Sequence, residues 1–126
     1  MVSIERNLLL NAVCAIIKSD GSVHQKELTS MNLILDRFQE ELANYHVDLQ
    51  KLKTDLILEF ELINKRSEDY FKNTASLLDI KYSFGKQFLD LVLKICQNFA
   101  LVVNQLNKSE LILLSRLESI FKNYLS

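Results

Sequence analysis

The sequence predicts an all-α fold, a compact bundle of about six helices, and three observations carry that prediction. Proline is absent and glycine occurs only at Gly21 and Gly85, so the residues that build β-turns are nearly missing. Apolar residues recur at spacings of three and four along most of the chain. The breaks between these runs are short and polar, above all Lys18-Ser19-Asp20-Gly21-Ser22-Val23-His24-Gln25-Lys26-Glu27. With 126 residues, 48% of them hydrophobic, the chain can bury one core without disulfides or metals, which predicts a single domain over 1–126.

Ile4, Leu8, Leu9, Ala12, Ala15 and Ile16 mark the buried face of a first helix ending near Ser19. Asp20-Gly21 then supplies a short polar side chain and a residue free to take positive φ, which suits a hinge. A second helix runs through Leu28, Met31, Leu35, Phe38 and Leu42 and frays at Asn44 to His46. Asp48 suits the first turn of a third, with Leu49, Leu52, Leu56, Phe60 and Ile63 inward and Asn64-Lys65-Arg66 at its C-terminus. Ser67 with Glu68 and Asp69 reads as the start of a short fourth helix through Phe71, Ala75 and Leu78. Ser83 suits the cap of a fifth, with Phe84, Phe88, Leu91, Ile95 and Phe99 inward as far as Val102 or Val103. A last helix carries Leu111, Leu114, Leu117, Phe121 and Tyr124. Short connections predict that adjacent helices pack antiparallel.

Fifteen basic and sixteen acidic residues leave a formal net charge of −1, which lacks the electrostatic footprint of a nucleic-acid binder. Cys14 and Cys96 lie in separate apolar runs, as expected of buried thiols in a reduced cytoplasmic protein. Arg6 ahead of the apolar run from Leu8 to Ile17 imitates a secretion signal. Asn11 interrupts that run, however, and no small-residue cleavage site follows, so it reads as a core helix. No apolar run is long enough for a transmembrane segment, which predicts a soluble protein and leaves only peripheral membrane association open.

The hinge returns near the C-terminus. Offset by 83 positions, from Glu27 to Glu110, Asp20-Gly21-Ser22-Val23-His24-Gln25-Lys26-Glu27-Leu28 overlies Val103-Asn104-Gln105-Leu106-Asn107-Lys108-Ser109-Glu110-Leu111. Gly21 meets Asn104, and Asn is a residue that accepts the left-handed conformation. Val23 meets Leu106 as a buried hinge plug. Two pseudo-repeated helical hairpins joined by two bridging helices follow as the expected architecture.

The Ser-Asp-Gly-Ser-Val hinge, with Glu27 seven residues after Asp20 and an amphipathic helix on each side, resembles the signature of the TerB-like tellurite-resistance domains. The resemblance spans residues 8 to 42 and, more weakly, 88 to 122. It implies a bacterial all-helical interaction module linked to stress or tellurite resistance, with clustered acids that bind a divalent cation or a partner. Here Val103 stands where the family's second hinge Asp would be.

Asp20, Gly21, Val23 and Glu27 fit positions 5, 6, 8 and 12 of an EF-hand loop, but Ile16 and Lys18 at positions 1 and 3 cannot donate carboxylates. A divalent cation shared by Asp20, Glu27 and Glu110 remains the metal hypothesis, and no other cofactor is expected. The competing and preferred reading is structural: Asn107 caps a helix whose Glu110 reaches back in a capping box, and Glu27 does the same behind His24. No phosphate loop, nucleophile elbow or His-x-x-x-His pair occurs, so no enzyme is expected. Apolar residues from Leu56 to Ile63 cover more than one helical face, which fits either burial between two neighbours or a seam for a partner protein or a homodimer. The expected function is binding, with cation binding at the hinge as the alternative.

Overall fold

The structure, a computed structural model, describes residues 4–17, 25–63, 65, 69–79, 84–104 and 108–125, with the backbone alone at 25–28, 102–104 and 108–111. These residues form seven α-helices: α1 (Ile4–Ile17), α2 (Gln25–Arg37), α3 (Gln39–Asn44), α4 (Leu49–Leu62), α5 (Tyr70–Asp79), α6 (Lys86–Asn104) and α7 (Lys108–Leu125). No strand occurs among them. The bundle is all-α, as the periodicity predicts.

Helix α1 is the axis of the fold. Leu8, Leu9, Ala12, Val13, Cys14, Ala15, Ile16 and Ile17 are all buried, more than one helical face can carry. A helix that is apolar all round must be enclosed from several sides, and α4, α5, α6 and α7 surround it. The expected single buried face was too narrow, and Ile4 at its start is only half-buried. Helix α6 is the second axis: Phe88, Leu89, Val92, Ile95, Cys96 and Phe99 are buried, and it packs on α1, α2 and α7. At roughly 1.5–3 kcal/mol for each buried Leu, Ile or Phe, these two helices supply much of the stabilisation.

Neighbours in sequence are not always neighbours in space. Among the described residues α6 and α7 pack together as expected, but α2 leans mainly on α6, and α1 finds its closest partner in α5. The reason lies in α1 itself, whose several apolar faces each need a cover that one adjacent helix cannot provide.

The predicted second helix divides in two at Phe38, so the described residues form seven helices where about six were expected. Phe38 leaves helical geometry (φ −108°, ψ 15°), and its N–H bonds three residues back to the Leu35 carbonyl at 3.0 Å. That bond tightens the turn in 3₁₀ fashion. The Leu42 N–H then bonds the Phe38 carbonyl at 2.9 Å, so α3 resumes at once.

Helix α3 closes in a Schellman motif. The Val47 N–H reaches the Leu42 carbonyl at 3.1 Å and the His46 N–H reaches the Ala43 carbonyl at 3.0 Å, while buried Val47 and Leu42 share the core. The geometry requires a left-handed residue, and His46 supplies it at φ 59°. His46→Gly should therefore raise stability by about 1 kcal/mol, since glycine carries no Cβ penalty there. A thermal melt reads this as a midpoint several degrees higher; a lower midpoint would show that the imidazole stabilises the turn.

Helix starts differ from two sequence expectations. Asp48 caps α4 as expected, its carboxylate accepting from the Lys51 N–H at 3.1 Å. At α5 the cap is Asp69, which accepts from the Lys72 N–H at 3.0 Å. Ser67 lies outside the described residues, two positions ahead of that cap. Helix α6 starts at Lys86, so its cap position falls on Gly85, whose carbonyl accepts from the Leu89 N–H at 3.2 Å. Ser83, also outside the described residues, stands two positions too early. The Phe84 N–H is held instead by the Tyr124 hydroxyl at 2.8 Å, which ties the start of α6 to the end of α7.

Candidate functional site

The hinge residues singled out by sequence are mostly beyond what the structure describes. Asp20, Gly21, Val23, Leu106 and Asn107 lie outside the described residues. Asn104 is the last helical residue of α6, so that helix runs just past its expected end at Val102 or Val103. Glu27 is the third residue of α2 and Glu110 the third residue of α7, and the two helices start 83 positions apart, the spacing of the sequence repeat. The third helical position is where a capping-box glutamate belongs. Among the described residues no three His, Cys, Asp or Glu side chains gather closely enough to hold a metal ion.

A surface feature emerges between α2 and α4. The reversal at residues 45–47 sends α4 back along α3 and α2, and Lys53 reaches Asp36 with Nζ and Oδ1 2.7 Å apart. Leu33 lies one turn before Asp36 and Ile57 one turn after Lys53, so both belong to the next rung of this seam. Leu33 is 66% exposed, Ile57 45% and Leu58 54%. The apolar excess between Leu56 and Ile63 is thus resolved: Leu56, Phe60 and Ile63 enter the core, whereas Ile57 and Leu58 face outward.

An open cleft of about 260 Å³ lies between α3 and α6. Glu41, Asn44 and Tyr45 line one side, and Gln87, Asp90, Leu91 and Lys94 line the other. Tyr45 spans its base, the ring 4.9 Å from that of Phe88 and tilted by 58°.

Other polar groups act as ties between helices. Arg6, buried on α1, meets Asp55 of α4 with Nε and Oδ2 2.9 Å apart. Tyr70 of α5 donates to Glu59 of α4 at 2.7 Å, and Asn73 donates to Asn11 of α1 at 3.3 Å. Sequence reading passed over Arg6 as the basic end of an apolar run; a charged residue inside a helix with no polar face was the available signal of a buried partner. His46, assigned no role from sequence, has the backbone role already described.

Both cysteines are buried and free. Burial pushes the Cys14 thiol well above its ordinary range, with the nearby Glu59 charge and then Cys96 adding to the effect. Burial likewise raises the Cys96 thiol. These are inert core thiols, since the thiolate is the reactive form.

No family model matches the chain, and neither a curated protein nor a solved structure matches it. Among the described residues no helix is long and apolar enough to cross a membrane.

Proposed function

We propose that the chain is a non-catalytic binding module of the TerB-like kind, acting in the cytoplasm through contact with a partner protein or a second copy of itself. The observation that carries this reading is exposed Leu33 on α2 with exposed Ile57 on the side of α4 that faces it, Leu58 being exposed on another side of α4. Single exposed apolar residues are ordinary, but grouped ones mark contact surfaces. The TerB-like part rests on the resemblance of residues 8 to 42 and 88 to 122, supported by α2 and α7 starting 83 positions apart. A role in stress or tellurite resistance comes from that resemblance alone.

On this reading Asp20, Glu27 and Glu110 hold helix starts and the hinge. Excess calcium, magnesium or zinc should then leave the melting midpoint of the chain unchanged, in the natural sequence and in Asp20→Asn alike. Any ligand bound only by the folded state must raise that midpoint by mass action, through a gain in stability of about 2.7 kcal/mol at a hundredfold excess over Kd. A metal-dependent rise that Asp20→Asn abolishes would transfer the function to cation binding at the hinge.

A further inference from the structure

Helix α4 carries a row of side chains whose charges are self-complementary under a two-fold rotation. Lys53, Ile57 and Glu61 follow one another at intervals of four, so they form one of the ridges that a helix offers to a neighbour. Lys53 and Glu61 stand about 6 Å to either side of Ile57 along the axis. Ile57 and Glu61 are exposed, and half-buried Lys53 spends one of its three N–H donors on Asp36. The adjoining row, Gln50, Thr54 and Leu58, is exposed and uncharged. Across the seam Leu33 of α2 stands on the same rung as Ile57, a level that the Lys53–Asp36 bond sets.

We propose that this face pairs with a second copy of the chain, the two α4 helices lying antiparallel about a two-fold axis at Ile57. The pairing rests on the α2–α4 surface being a contact site, and it names the occupant. In an isologous contact each residue of the patch meets the image of another. Here Ile57 meets Ile57, and Lys53 of each copy meets Glu61 of the other, so both charge pairs are of opposite sign. Parallel α4 helices in register would set Lys53 on Lys53 and Glu61 on Glu61, and such like-charge contacts are costly. The order of charges therefore selects the antiparallel arrangement, an order that a different protein as partner would not require. Leu33 widens the apolar centre on the α2 side. Few apolar side chains are exposed there, so the association is weak, with Kd on the order of 10–500 μM.

The test is sedimentation of the full chain from about 10 μM to about 1 mM, where a monomer–dimer equilibrium should appear. Lys53→Glu and Glu61→Lys should each self-associate about tenfold more weakly or worse, because each sets like charges opposite one another at both ends of the contact. Mixed in equal amounts, the two variants should form a one-to-one dimer about tenfold tighter than either forms alone, since every facing pair is then of opposite sign. Lys53→Glu also loses the bond to Asp36, so Asp36→Lys/Lys53→Glu, which reverses that bond, replaces it if the single variant melts early. A natural chain that stays monomeric at about 1 mM overturns the pairing, and so does a mixture that associates no better than its components. Retention of a different polypeptide through Leu33 and Ile57 would then leave the contact-site reading standing with a foreign occupant, and no retention would remove both.

Discussion

Leu9→Ala should destabilise the domain by about 2–5 kcal/mol, the range for emptying a fully buried leucine site. Leu9 sits in α1 with no exposed surface, and α1 is enclosed by α4, α5, α6 and α7. A void there has walls on several helices, which limits how far any one of them can collapse to fill it. A domain of this size typically has 5–15 kcal/mol of total stability, so the single change takes a large share. Urea titration should show a lower midpoint at an unchanged slope. A loss below about 1 kcal/mol would mean that α1 is a peripheral helix, contrary to the fold described above.

Alkaline pH should produce a loss of comparable size through the two cysteines. Folding holds both thiols in their neutral form, because burial raises Cys14 and Cys96 above the ordinary thiol range. In the unfolded chain they ionise near pH 8.5. The stabilisation from this source is complete below that pH. It falls as pH rises through the window up to the folded-state values, because the unfolded state releases protons that the native state retains. Each thiol contributes about 1.4 kcal/mol of lost stability per pH unit in that window. Denaturant titrations from pH 8 to pH 10.5 should therefore fall more steeply for the natural chain than for Cys14→Ala/Cys96→Ala. Contributions common to both proteins cancel in the comparison. Parallel pH profiles would show that the thiols ionise as readily in the folded protein as in the unfolded one.

Helix positions were legible in the sequence where an apolar stripe repeats without ambiguity. Phe88, Leu91, Ile95 and Phe99 of α6, and Leu52, Leu56 and Phe60 of α4, are buried as their spacing predicts. The stripe failed at Phe38, which keeps its place in the pattern while its backbone leaves the helix. Periodicity records which side a residue faces and is silent on a one-residue break in hydrogen bonding. Caps were legible when the capping side chain stood next to the apolar run, as at Asp48. They were missed where several candidates crowded together: Ser67, Glu68 and Asp69 all suit a helix start, and the aspartate nearest the helix takes the role.

The candidate surfaces were legible only in part. The apolar excess around Leu56 to Ile63 was visible, but the division between core and surface depends on which side of α4 is covered, chiefly by α1, a long-range fact. The α3–α6 cleft joins residues more than forty positions apart, and no local pattern links Glu41 to Asp90. The Arg6–Asp55 pair, across α1 and α4, was hidden for the same reason.

The proposed binding function is tested most directly at the α2–α4 surface, by comparing the natural chain with Leu33→Lys/Ile57→Lys as immobilised baits, each also followed by sedimentation for self-association. Exposed substitutions away from special features usually change stability by less than about 0.5 kcal/mol, so the melts of the two proteins should nearly coincide. The account predicts that the natural chain retains a defined polypeptide or pairs with itself, and that the double variant loses that association at least tenfold. Equal retention by both proteins, or a natural chain that neither pairs nor retains anything, would contradict it.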